Sequence, residues 1–161
     1  MEEWLALLGP THLGPGEVAV RLGAAIGFAC LIGIDRELKH KPLGLRTNML
    51  MALGSASFSV LVIELMHLPA PGPHASPIDA GRVIEGIIGG IGFLGAGAII
   101  RERSDVRGAT TGAAIWAVGA IGVACGFGYY VHAGLITVVA LFVMTVLGFL
   151  TGSGPRQDQP D

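Results

Sequence analysis

Five long apolar runs constrain this chain more than any other feature. Residues 18–34, 47–66, 83–100, 109–127 and 130–150 each give about 17 to 21 positions with almost no charge. At 1.5 Å per residue, such a run crosses a hydrocarbon core of about 30 Å as a helix. The expected fold is therefore all-α: a polytopic membrane protein of five transmembrane helices in one domain, residues 1–151. Residues 152–161 read as a disordered cytoplasmic tail. Charged residues are 14% of the chain, against about 25% in soluble domains, which fits lipid as the solvent. The net charge of −2 argues against a nucleic-acid partner, which calls for a basic surface. Cys30 and Cys125 lie inside apolar runs and read as buried thiols. The opening MEEW is acidic, unlike a secretory signal, and Trp4 suits the headgroup level.

Positive charge sets the orientation. The first connection carries Arg36, Lys39, Lys41 and Arg46; the third carries Arg101, Arg103 and Arg107; the tail carries Arg156. The second connection as far as Gly81 (HLPAPGPHASPIDAG) and the fourth, around Gly128, contain no lysine or arginine. Eight of ten basic residues thus fall on one side of a five-span path. By the positive-inside rule that side is cytoplasmic, with the N-terminus outside.

The third run and its continuation, residues 82–116, are the expected organising stretch. Residues 83–100 contain six glycines and one charge, Glu85. Glycine lets neighbouring backbones approach closely in lipid, so this span is expected to be gripped on more than one side. Gly23–Gly27, Gly86–Gly90 and Gly122–Gly126 read as G-x-x-x-G packing pairs. Gly90 to Gly95 also spells G-x-G-x-x-G, but a dinucleotide site needs a strand before it, and this one lies inside an apolar span. Sliding the chain by 65 residues lays residues 26–54 on 91–119 with eight identities in 29 positions. That pattern predicts a tandem repeat in which spans 1–2 and 3–4 are parallel hairpins and span 5 stands outside them.

The repeat would bring two mixed-charge elbows together. Asp35, Arg36 and Glu37 end the first span, and Arg46 and Thr47 open the second. Arg101, Glu102 and Arg103 end the third, and Arg107, Thr110 and Thr111 open the fourth. Cations at helix C-termini and hydroxyls at N-termini serve as caps. The interleaved acids leave three further roles open: an anionic headgroup or phosphate site, a cation between Asp35 and Glu37, or a docking face. Three charges lie within the spans, Arg21, Glu64 and Glu85. They either snorkel to the outer interface or line a vestibule in which Arg21 pairs with Glu64 or Glu85. His67, His74 and Asp79 fall in a Pro-rich outer loop, where solvation is the simpler reading. No nucleophile–base constellation, phosphate loop or zinc spacing is present, so neither an enzyme nor a cofactor is expected.

At these residues the chain resembles the MgtC/SapB family of bacterial inner-membrane proteins. The matching stretches run from Ile32 to Phe58 (IGIDRELKHKPLGLRTNMLMALGSASF) and from Asp79 to Tyr130. Within the second, GIGFLGAG through VRG-TT-A--W is the most specific part. The resemblance implies a cytoplasmic-membrane protein of four to five helices with roles in magnesium-limited growth and, in intracellular pathogens, survival in macrophages. It further implies contact with the F-type ATP synthase and, in some members, regulation by a short membrane peptide. Carried over by position, the family's signature falls on Asp35, Arg36, Glu37, Gly44, Leu45, Arg46 and Thr47, then Asp79, Arg82, Arg107, Gly108, Thr110, Thr111 and Trp116. Virulence-type members continue into a soluble ACT-like domain before which this chain stops, so regulation through such a domain is not expected. Glu85 stands where the family pattern has uncharged residues. Two functions follow from the sequence: a non-catalytic regulator that works by contacts with other membrane proteins, and a small transporter for magnesium, protons or phosphate between the repeats; a homodimer is expected.

Overall fold

The computed structural model describes residues 11–67, 79–102 and 105–150, and the backbone alone for residues 100–102, 105, 106 and 149. The expectations for Trp4, His74, Arg103 and the tail lie outside the described residues, as do those for the side chains of Arg101 and Glu102. Among the described residues, five helices are long and apolar enough to cross a membrane. They are α1 (Pro15–Leu38), α2 (Leu45–Met66), α3 (Ala80–Gly97), α4 (Ala109–Gly126) and α5 (Tyr130–Phe142), the last reaching spanning length only with the turn that continues it to Leu147. A π-helical turn, Val143–Leu147, prolongs α5 and leads into a last short turn, α6 (Gly148–Leu150). The all-α membrane architecture stands.

Four boundaries differ from the sequence reading by three residues or more, each for a local reason. Helix α1 begins at Pro15, whose missing N–H and fixed φ suit a first helical position. It also runs past Asp35, Arg36 and Glu37, so these side chains belong to its last turn. There the Lys41 N–H reaches the Arg36 carbonyl and the His40 N–H reaches the Glu37 carbonyl. With His40 at φ 50°, this is a Schellman ending in which histidine occupies the place usually given to glycine. Helix α3 starts one residue after Asp79, whose Oδ1 accepts the Gly81 N–H at 2.8 Å, and stops at Gly97.

The expected continuation of α3 to residue 100 is replaced by a small antiparallel hairpin. Strand β1 (Ile100–Glu102) pairs with β2 (Asp105–Arg107), with Ile100 opposite Arg107 and Arg101 opposite Val106. Gly108 then turns the chain into α4 at φ 85°. A Cβ at that position would overlap the Ala98 carbonyl, so two constraints require glycine there.

The organising helix is α4, not α3. Of its spanning window 56% is buried within the protein, against 17% for α3. The main core joins Ala25, Ala29 and Ile32 of α1, Ala52 and Ala56 of α2, Val118, Ile121 and Cys125 of α4, and Ala133 of α5. Glycines of α4 make this possible. A Cβ on Gly122 would overlap the Ala52 backbone, and one on Gly126 the Ala56 backbone. The expected Gly122–Gly126 packing pair is therefore present, against an alanine and serine face of α2. Gly23–Gly27 and Gly86–Gly90 are different: a Cβ on any of the four meets nothing within 4 Å. The buried hydroxyls of Ser59 and Thr137 bond to carbonyls of their own helices, Ser55 at 3.0 Å and Ala133 at 2.8 Å. These hydrogen bonds offset the cost of taking the two hydroxyls out of water.

Candidate functional site

The site is built around Arg36, which is 2% exposed. From the last turn of α1 its guanidinium reaches two other elements. Nε donates to the Leu43 carbonyl at 3.1 Å, and Nη2 donates to the Pro42 carbonyl and, at 2.9 Å, to Thr111 Oγ1 of α4. One buried cation therefore ties α1 and the α1–α2 loop to the first turn of α4. Hydrogen bonds to a charged donor are stronger than neutral ones, about 1.5 to 3 kcal/mol each.

The α1–α2 loop needs this support. Leu43 has φ 58°, a left-handed conformation that costs a non-glycine residue roughly 1–3 kcal/mol. Its carbonyl also accepts from Asn48 Nδ2 at 2.7 Å, and the second Asn48 proton goes to the Gly44 carbonyl at 2.8 Å. Asn48 is 1% exposed and braces the loop from α2 as Arg36 does from α1. Glu37 completes the frame by accepting the Leu45 N–H at 3.1 Å. Its carboxylate lies where a Cβ on Gly44 would be, so a side chain at Gly44 would require Glu37 to leave the Leu45 N–H. The closeness extends into the helices, where a Cβ on Gly33 would sit 2.7 Å from the Leu45 Cα.

A second polar cluster joins α1 to the π-helical turn. Asp35 Oδ1 pairs with Lys39 Nζ at 2.5 Å and accepts from Thr145 Oγ1 at 2.9 Å, while Lys39 Nζ donates to Thr145 Oγ1 at 2.8 Å. Asp35 is thus engaged in a triad, and Glu37 points to the Leu45 amide. No group of three or more His, Cys, Asp or Glu side chains that could hold a metal ion forms among the described residues.

The structure therefore unites Arg36, Thr111, Asp35 and Glu37 at one end of the bundle. The hairpin carrying the Arg101 and Glu102 backbones joins α3 to α4 at that same end. Arg46, Thr110 and Arg107 lie exposed around it. Thr47 is half-buried, but no hydrogen bond draws it into the cluster among the described residues. Trp116 does not belong to it either. Half-exposed, it lines a groove of about 450 Å³ between α3 and α4 with Ile88, Tyr129 and His132. Pro42, Leu43, Asn48 and Thr145 belong to the site but were missed. Asn48 had a signal, a lone amide beside Arg46-Thr47 near the start of an apolar span. The other three offered none, because two contribute carbonyls and Thr145 reads as part of an apolar run.

The span charges sit at the opposite end, in partnerships other than those expected. Arg21 pairs with Glu17 at 2.5 Å and donates from Nη1 to the Gly126 carbonyl at 2.7 Å. It neutralises the C-terminal end of α4 and is joined to neither Glu64 nor Glu85. Glu64 holds the chain that enters α1, its oxygens accepting the His12 N–H at 2.7 Å and the Leu13 N–H at 2.8 Å. Above it the His12 and His67 rings stack with centroids 3.4 Å apart. His67 is exposed, as a solvated reading expects, with its ring stacked on that of His12. Glu85 and Arg82 are exposed.

A helical membrane protein with a buried arginine strut at one end is the class these features define. Residues 22–153 match the MgtC family model. The chain is 40% identical over 129 residues to protein MgtC of Brucella abortus strain 2308, covering 80% of this chain and 50% of that protein. It is 40% identical over 122 residues to protein MgtC of Salmonella typhimurium strain LT2, covering 76% and 48%. This chain belongs to the MgtC family. It spans about half the length of the curated relatives it matches. No solved structure matches it.

Proposed function

We propose that this chain is a non-catalytic regulator of the bacterial cytoplasmic membrane, tied to growth under magnesium limitation. It acts by contact with other membrane proteins, subunits of the F-type ATP synthase among them. Its Arg36 end faces the cytoplasm, since eight of the ten basic residues map to that side of the path. The observation that carries the reading is how Arg36 is used. Its guanidinium bonds to Leu43, Pro42 and Thr111, which makes it a strut and not the lining of a wet passage. It holds the loop of residues 39–44 in a strained, fixed shape at the surface. A rigid displayed loop ringed by Lys41, Arg46 and Arg107 suits recognition by an anionic or mixed-charge partner. The two described grooves beside α3 are lined almost wholly by apolar side chains, which supports contact with apolar neighbours over ion passage.

The test separates regulator from transporter. Purified protein in liposomes should pass magnesium, protons and phosphate no faster than empty vesicles. Cross-linking in native membranes should recover synthase subunits with the wild type and far fewer with Arg36→Met. Flux that Glu85→Gln abolishes would replace the regulator reading with a small transporter.

A further inference from the structure

Helix α3 carries two ionisable side chains on its outward face. Ile87, Ile91 and Gly95 turn inward and are buried, and the opposite side presents Arg82, Glu85, Gly89, Phe93 and Ala96, all exposed. Their spacing of three, four, four and three residues places them in one row. Neither Arg82 nor Glu85 forms a hydrogen bond or ion pair with another described residue. Both stand on a helix of membrane-spanning length. Arginine can snorkel from there, but a glutamate is shorter, and a carboxylate facing lipid without a partner is costly.

The geometry points to a second copy of this chain as the occupant of that face, with the two α3 helices crossing at Gly89 about a two-fold axis along the membrane normal. The argument is self-complementarity of charge. Copies inserted the same way meet with matching residues at matching depth. At 1.5 Å per residue, Glu85 lies about 6 Å and Arg82 about 10 Å from the level of Gly89. One copy's Arg82 then meets the partner's Glu85 and the reverse, so that symmetry makes two equivalent ion pairs and leaves no charge over, as an isologous contact requires. Nothing on the face opposes close approach. A Cβ on Gly86, Gly89 or Gly92 would meet nothing within 4 Å, and small residues at such a crossing let the backbones touch. Phe93, 79% exposed, covers the seam one turn below.

Cysteine cross-linking in native membranes tests this directly, in a full-length background with Cys30→Ala and Cys125→Ala. Gly89→Cys should give a covalent dimer on mild oxidation, whereas Val139→Cys on the exposed face of α5 should not. Added to Gly89→Cys, Arg82→Glu or Glu85→Arg alone should lower the dimer yield about tenfold, and the two together should restore it to within about twofold. Because neither side chain forms a hydrogen bond or ion pair with another described residue and both are exposed, both single variants should unfold at the wild-type temperature in detergent. If either does not, Gly89→Cys against Val139→Cys decides the matter alone. The proposal is overturned by single-subunit photobleaching of the wild type in sparse bilayers that shows only monomers. It is overturned equally by cross-linking at Val139 as strong as at Gly89, or by a double charge swap no better than either single one. The last two results would assign the Arg82 face to lipid headgroups or to a different protein.

Discussion

Helices α3 and α4 have the same length, 18 residues, and both are rich in glycine, yet the protein uses them in opposite ways. Gly112, Gly119, Gly122 and Gly126 of α4 each face another helix so closely that a Cβ would crowd it. Gly86, Gly89, Gly90, Gly92 and Gly97 of α3 face open space, and Gly95 alone packs on α4. Glycine in an apolar helix therefore does not by itself report burial. It reports permission to approach, and what approaches is decided elsewhere. Helix α4 is approached by α1, α2, α3 and α5 of its own chain; α3 turns most of its permission outward.

The contrast makes graded predictions. Gly122→Leu should do the most harm, because the new side chain would enter the Ala52 backbone and the Ser55 side chain. A loss of about 3 kcal/mol or more is expected, read as a failure to fold or a large drop in unfolding temperature in micelles. Gly90→Leu in α3 should lose far less, and equal losses would break the comparison.

Arg36→Met comes next. It removes the charged donor from Leu43, Pro42 and Thr111 and leaves the strained loop braced only by Asn48 and Glu37, at a cost of about 2–4 kcal/mol. Proteolysis within residues 39–44 should rise in parallel, and Arg36→Lys should recover little, since one ammonium cannot reproduce the fork. Should Arg36→Met leave both stability and proteolysis unchanged, the strut is not what holds α4 to α1.

Arg21→Met tests the far end of α4. Losing a partly buried cation from a helix C-terminus costs about 1–2 kcal/mol, and thermal unfolding in detergent should register it. Smallest is Gly90→Ala, whose Cβ meets nothing within 4 Å. It should change stability by less than about 1 kcal/mol, in the stabilising direction, by restricting the unfolded chain. A marked destabilisation would mean that a neighbour packs on Gly90 in the membrane.

Much of the site was legible in the residues, but not its logic. Arg36 and Thr111 were marked as members of one polar end, and they do touch. The cap reading and the functional reading also converge, because Arg36 secures both the loop and the first turn of α4. The sequence was silent on the carbonyls of Pro42 and Leu43, because an acceptor on the main chain has no signature in residue type. Thr145 was invisible for a related reason: only the π-helical turn brings its hydroxyl to Asp35. Arg21 was placed at the correct end, yet its partners lie four residues back along its own helix and on another helix's last carbonyl.

Apolar run length alone fixed the number of spans and their approximate limits, because each span in lipid must close its own backbone hydrogen bonds. It left unspecified which helix stands at the centre. In water an inward face is marked by an apolar stripe against a polar one; in lipid both faces are apolar, so that mark is lost. Rank within the bundle then depends on which small residues find a complementary surface, and that is a property of the packed helices together. The chain's composition made it a membrane protein, and contact between Gly122, Gly126 and the small side of α2 made α4 its core.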